Sequence, residues 1–227
     1  MISTINPAEI KALVFDVGGV LALDAPRFFL SELAVRESLD IEELVVSWKK
    51  NFGALTVGVM SEQEFWMAFI EDINLKIPPE ELIERFKTEL RLFLLLDKNV
   101  IQYLRQLKEE VNEHRKVPVA FAILSNNVKE WAKVLESQDK LNDLFEVIMY
   151  SCDEGVTKPD PVIFKKLLVK LDVKAREVLF IDNREKNLQA AKALDMHVML
   201  FTTCDEFKEA MLTLHFSRRK EAQTTNE

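Results

Sequence analysis

The sequence predicts an α/β fold: a parallel sheet covered by helices on both faces, with an all-helical segment inserted after the first strand. Five short apolar runs, mostly β-branched or aromatic, supply the strands: ALVF (12–15), VAFAIL (119–124), EVIMY (146–150), VLFI (178–181) and HVMLF (197–201). Amphipathic stretches separate the later runs, and strand–helix–strand alternation implies a parallel sheet. The interval from Pro26 to Leu96 holds no such run and is too long for a simple crossover, so it reads as a separate helical module.

The first strand delivers Asp16 onto a turn loosened by Gly18 and Gly19, within KALVFDVGGVL. Inside the helical interval, Ser61 and Glu64 fit a capping box at the start of EQEFWMAFIEDI, which places a turn at Val57 to Met60 around Gly58. Pro78 and Pro79 open a further helix, PEELIERFKTELRLF. Trp48, Phe65 and Trp66 are expected in the interior of this module, and Lys49, Lys50 and Asn51 at a solvated helix end beside Phe52 and Gly53. Apolar residues at helical spacing then mark helices over 99–111, 131–138, 161–171 and 187–194. The last stretch, SRRKEAQTTNE, is polar and expected to be disordered.

At 227 residues, the chain can bury one core, or a core plus a small accessory domain. Its formal charge of -8 argues against a general nucleic-acid or anionic-membrane binder, since both need a basic surface. Cys152 and Cys204 have no neighbours at metal-ligand spacing and are expected to be inert thiols rather than a disulfide. His114, His197 and His215 form no cluster. The start, MISTINPAEIK, has no basic segment followed by an apolar stretch, and the run LFLLL (92–96) is far too short to span a bilayer. The expected location is the cytoplasm, as a monomer or homodimer with small partners open and neither nucleic acid nor membrane as partner.

Asp16, then Ser125 with Asn126 and Asn127, then Lys158, then Asp182 with Asn183 all follow strands, whose ends converge on a ligand crevice in an open parallel sheet. Together they suit phosphoryl chemistry. Asp16 can attack phosphorus to give an acyl phosphate. Lys158 and a magnesium ion held by Asp16 and Asp182 would offset the charge of two anions brought together. Ser125 offers a hydroxyl to a phosphate oxygen, and the Gly18–Gly19 turn lets backbone N–H groups approach. Each residue also has a plainer role: Ser125, Asn126 or Asp182 as a helix cap, Lys158 as a solvated loop residue.

Over nearly its whole length the chain resembles the haloacid dehalogenase-like (HAD) hydrolase superfamily. FDVGGVL is similar to its first motif, ILSNN to its second, Lys158 within SCDEGVTKPDP to its third and FIDNREKN to its fourth. The resemblance implies a Rossmann-like core over residues 1–24 and 97–216 with an inserted helical cap over 25–96, leaving 217–227 as a tail. VGVMSEQEFW and the GG dipeptide look like the small-cap group containing sugar-phosphate phosphatases and the phosphatase domain of soluble epoxide hydrolases. It implies Asp16 as nucleophile, Ser125 as phosphate-binding hydroxyl, Lys158 as charge-neutralising lysine, and Asp16, Asp182 and the Gly18 carbonyl as Mg2+ ligands; Ser125, Asn126, Lys158 and Gly18 form the substrate-binding set.

Two positions depart from the superfamily pattern. The second aspartate of the first motif, the general acid and base, is Gly18, and a second acidic residue of the fourth motif is Asn183. Loss of a positioned acid and base costs about 10²- to 10⁴-fold, so the leading expectation is a magnesium-dependent phosphatase of a small metabolite with a good leaving group, such as a sugar 1-phosphate or acyl phosphate. Asp24, where the chain leaves the core, reads first as a solvated surface aspartate, with reach to the leaving oxygen as the alternative. The alternatives are a non-catalytic phosphate-binding or regulatory relative, and a 2-haloacid dehalogenase in which Asp16 attacks carbon without magnesium.

Overall fold

The structure is a computed structural model that describes residues 5–74, 78–113, 115–138, 141–214 and 216. Strand β1 (Ala12–Phe15) is followed by helices α1 (Ala25–Glu37), α2 (Ile41–Thr56), α3 (Glu62–Ile73), α4 (Pro79–Phe93) and α5 (Lys98–Asn112). Then come β2 (Ala120–Ser125), α6 (Lys129–Glu136), α7 (Leu141–Leu144), β3 (Val147–Tyr150), α8 (Ser151–Glu154) and α9 (Pro161–Leu171). Strand β4 (Val178–Asp182), α10 (Glu185–Lys192), β5 (His197–Leu200) and α11 (Cys204–Thr213) complete the described order. The polar stretch 217–227, His114 and His215 lie outside the described residues.

The strands form one parallel sheet in the order β3-β2-β1-β4-β5. The chain steps outward from β1 to β3, then returns past β1 to place β4 and β5 on its other side. The crevice of such a sheet opens at that reversal, beyond the carboxyl ends of β1 and β4. Phe15 is in register with Ile181 and with Ile123, so Asp16 and Asp182 emerge side by side with Ser125 one strand away.

Alternation along the strands divides the core, since successive side chains point to opposite faces. Leu13, Phe15, Phe121, Ile123, Leu179 and Ile181 join the larger apolar cluster, with residues of α5 and α11 such as Leu104, Leu107 and Met211. Ala12, Val14, Ala122, Leu124 and Phe180 meet Ile163, Phe164 and Leu167 of α9 and Leu188 of α10 on the other face. The parallel sheet with helices on both faces is therefore as expected. α6 and α10 each begin two residues earlier than their apolar residues indicate, because each first turn is polar: Lys129 and Glu130, and Glu185 and Lys186.

The interval after β1 holds α1–α4 and, among the described residues, no strand. Phe29, Trp48, Phe65, Trp66, Phe69 and Phe86 interlock there, with Trp48 and Phe65 edge to face at 4.9 Å. Ser61 and Glu64 form the reciprocal capping box, and Gly58 takes φ +76° within the turn at 57–60. A Cβ on Gly58 would fall 2.9 Å from the Cys152 carbonyl oxygen, so that turn sits directly on α8. The chain leaves and re-enters the sheet through two segments lying side by side: Leu23 N–H donates to Leu95 C=O at 3.3 Å, and Asp97 N–H to Leu21 C=O at 2.8 Å.

Candidate active site

Asp16 follows β1 and donates its backbone N–H to the Ile181 carbonyl at 2.9 Å, which fixes it against β4. Lys158 does not lie directly at a strand end: α8 intervenes after β3, and the lysine sits in the loop leading to α9. Its Nζ lies 2.8 Å from Asp16 Oδ1 and 2.8 Å from Asp182 Oδ2, and 5.2 Å from the centre of the Phe180 ring. All three charged groups are buried, the Asp182 and Lys158 side chains at 0% and 1% exposure. Two carboxylates thus share one ammonium in a region of low dielectric. Burial raises the pKa of Asp16 above the ordinary carboxylate value; Lys158 opposes that rise and the charge of Asp182 adds to it.

The neighbouring polar residues hold this trio in place. Asn126 donates Nδ2 to the Lys158 carbonyl and accepts the Lys158 N–H at Oδ1, both at 2.8 Å, so its amide steadies the lysine loop. Ser125, the last residue of β2, lines the same cavity. Asn127 N–H donates to Ser151 Oγ at 3.1 Å, and Ser151 Oγ donates to the Thr56 carbonyl at 2.6 Å, tying the end of α2 to the sheet.

Asp182 is engaged on both oxygens. Oδ2 accepts from Lys158 Nζ and, at 3.0 Å, from Asn187 Nδ2, while Oδ1 accepts the Arg184 N–H at 2.8 Å. Its carboxylate therefore faces Lys158 and the start of α10. Asn183 is different: its Oδ1 is buried without a hydrogen-bond partner, and its amide packs on Gly19, where a Cβ would fall 2.1 Å from Nδ2. Beside Gly18 there is open space, with no atom within 4 Å of a built Cβ. Among the described residues no group of three or more His, Cys, Asp or Glu side chains is placed to hold a metal. One carboxylate on Asp16, the Gly18 carbonyl and the orphaned Asn183 oxygen are nonetheless hard oxygen donors of the kind magnesium accepts when water and phosphate complete its shell.

Asp16, Gly18, Ser125, Asn126 and Lys158 open onto a cavity of about 790 Å³ between the sheet edge and α1, α2 and α6. Trp48, Phe52 and Trp131 form one wall, with Phe52 and Trp131 stacked at 6.0 Å. Glu62 of α3 accepts the Trp131 Nε1–H at 2.9 Å, so the wall joins α6 to the helices after β1. Among the described residues, Arg27, Lys49, Lys158, Arg184 and Lys186 line the cavity against only Asp16 and Asp24. In a chain of net charge -8 that is a marked local reversal of sign. Lys50 turns away to Asp72, at 2.7 Å, and Asn51 is not among the lining residues.

Cys152 and Cys204 are both free thiols, and burial raises the pKa of each, that of Cys152 to about 11. No helix among the described residues is long and apolar enough to cross a membrane. Sequence reasoning assigned no role to Asn187, Ser151 or Arg184. Asn187 had a legible signal, an amide five residues beyond the strand-terminal Asp182, whereas Ser151 depends on how two distant loops meet.

A sequence model of the haloacid dehalogenase-like hydrolases matches residues 10–195. "Acyl-CoA dehydrogenase family member 10" of Mus musculus is 25% identical over 83% of this chain and 18% of its own length. "Glyceraldehyde 3-phosphate phosphatase" of Pyrococcus furiosus is 39% identical over 34% of this chain and 31% of its own. The chain thus spans less than a third of either relative. A HAD family enzyme of Bacteroides thetaiotaomicron, solved with magnesium and inorganic phosphate, superposes with TM-score 0.62 at 20% identity, over 86% of this chain and 96% of that one.

Proposed function

We propose, from the premise that this chain belongs to the haloacid dehalogenase-like hydrolase family, that it is a magnesium-dependent phosphatase working through an aspartyl phosphate on Asp16. The observation that carries the reading is the cavity: five cationic side chains in an acidic chain, converging on a buried carboxylate held by Lys158. Phosphatase-named relatives support it at low identity.

Asp16 attacks phosphorus, and the ester oxygen departs with the bonding electrons. Lys158 offsets the charge that gathers when a carboxylate meets a phosphate dianion, a term that a dry, fixed site makes large. Ser125 donates its hydroxyl to a phosphate oxygen. Arg184 and Lys186 hold the phosphate from the open side. When bound, magnesium would supply further charge neutralisation and orient the phosphate, held by Asp16, the Gly18 carbonyl and Asn183, with Asp182 reserved for Lys158. With no acid at Gly18, the leaving oxygen must be stable as an anion, which favours aryl, acyl and sugar 1-phosphates. Helices α1–α4, residues 25–96, act as the cap, and the wall of Trp48, Phe52 and Trp131 receives the organic part of the substrate.

Release of phosphate from a panel of such esters with magnesium, abolished in Asp16→Asn, is the expected result; full turnover by that variant would sink the mechanism. A dehalogenase is the second reading, favoured by the missing acid at Gly18. Chloride release from 2-haloacids that persists in a chelator would select it instead.

A further inference from the structure

Hydrolysis of an acyl phosphate on Asp16 needs a group that takes a proton from the attacking water, and its loss costs about 10²- to 10⁴-fold. Gly18 offers no side chain, and the space beside it is open rather than filled by a neighbour. Among the described residues only two carboxylates line the cavity, Asp16 and Asp24. Asp182 is fully buried, with both oxygens engaged.

The loop after β1 folds back on itself and sets Ala22 against Gly18. Leu21 and Ala22 N–H both donate to the Val17 carbonyl at 2.9 Å, Gly19 N–H donates to the Ala22 carbonyl at 2.7 Å, and Ala22 is bridged to Gly18. Two residues beyond that bridge can span at most about 7 Å, and Asp24 lines the same cavity as Asp16 and Gly18. It precedes α1, yet its side chain caps none of that helix's amides. Its Oδ2 instead pairs with Arg184 Nη2 at 3.3 Å, and Arg184 is anchored by its own N–H on Asp182. With the Asp24 and Arg184 side chains at 24% and 46% exposure, a proton on Asp24 has a route to solvent.

We propose that Asp24 is the general base of the dephosphorylation step, a role that rests on Asp16 being the nucleophile. A water in the space beside Gly18 forms a bond to phosphorus as its proton passes to the Asp24 carboxylate. The phosphorus–Asp16 bond breaks, its electron pair returns to Asp16, and Asp24 then gives up the proton to solvent.

The test is stopped-flow turnover of p-nitrophenyl phosphate with magnesium by wild type, Asp24→Asn and Asp24→Ser, with intact mass of acid-quenched enzyme. Because the Asp24 side chain caps no amide of α1, neither substitution removes a helix cap, and matching melting curves establish that both variants fold. Each variant is expected to release one p-nitrophenol per site in a rapid burst. Steady turnover then runs about 10²- to 10⁴-fold slower than wild type, with the phosphoryl group accumulating on the Asp16 peptide. Unchanged steady turnover, or a first turnover slowed as much as later ones, would overturn the role of Asp24 while leaving Asp16 as nucleophile. A wild-type enzyme that turns over without forming a phosphoenzyme on Asp16, or that releases no phosphate, would overturn both.

Discussion

At the scale of single residues, burial works against the charge of Asp16, the proposed nucleophile. Burial raises the pKa of Asp16 in the folded chain above its ordinary value of 3.8, so the folded state holds that proton more tightly than the unfolded one. The stability contributed by Asp16 is therefore fully present below the unfolded pKa and is lost as pH rises through the folded pKa. At neutral pH its burial is therefore a burden on the fold that Asp16→Asn removes. That variant is expected to be inactive yet to melt higher than wild type at pH 7, by about 2–4 °C per kcal/mol recovered, and to lose the advantage in acid; a calorimetric melt across pH reads it. Lys158→Met does the reverse, leaving Asp16 and Asp182 buried without their cation, and is expected to cost about 3–5 kcal/mol in denaturant unfolding. Gly18→Asp enters open space. It is expected to raise kcat/KM for alkyl phosphates far more than for p-nitrophenyl phosphate, because only the poorer leaving group needs a proton, with a ceiling near the ~10²- to 10⁴-fold worth of a positioned acid.

Among the elements, the contact between α3 and α6 turns on a single carboxylate. Glu62 is a buried carboxylate that accepts Nε1–H from Trp131 at 2.9 Å and Trp66 at 3.5 Å. Glu62→Leu leaves both indole donors without their acceptor, an expected loss of about 1–3 kcal/mol; shifted tryptophan emission and a lower melting temperature check it. This contact was not legible in the sequence, because Glu62 and Trp131 are 69 positions apart and meet only once α3 lies over the sheet edge. The strands were legible to within a residue or so, since a strand buried on both faces announces itself as a short apolar run. Asp16 and Asp182 were legible for a related reason: each sits at the end of a buried strand, and the parallel topology gathers those ends on one edge, which Lys158 reaches from the loop after α8. Which oxygen each group keeps free was not. That Asp182 is fully engaged and Asn183 left with an orphaned oxygen is set by the backbone path through Arg184 and Asn187, which spacing alone does not reveal.

For the molecule as a whole, the cationic cavity within an acidic chain makes charge the main guide to ligand entry. Attraction of that kind is screened over about 10 Å at 0.1 M salt and about 3 Å at 1 M, so inhibition by inorganic phosphate is expected to weaken steeply with ionic strength. Arg184→Ala is expected to flatten that dependence, whereas an uncharged ligand occupying only the aromatic wall would show none. Titrating phosphate at two salt concentrations separates the cases. The paired passages at 21–24 and 94–97, where Leu23 meets Leu95 and Leu21 meets Asp97, carry a further consequence for how such a protein can change over time. Because departure and return lie side by side, everything between them is an excursion from a single point on the sheet. On the proposed reading of residues 25–96 as the cap, mutation can reshape that excursion with both ends held on the sheet, provided its contacts with α6 and α8 are kept, and ligand selection can then diverge while the chemistry stays.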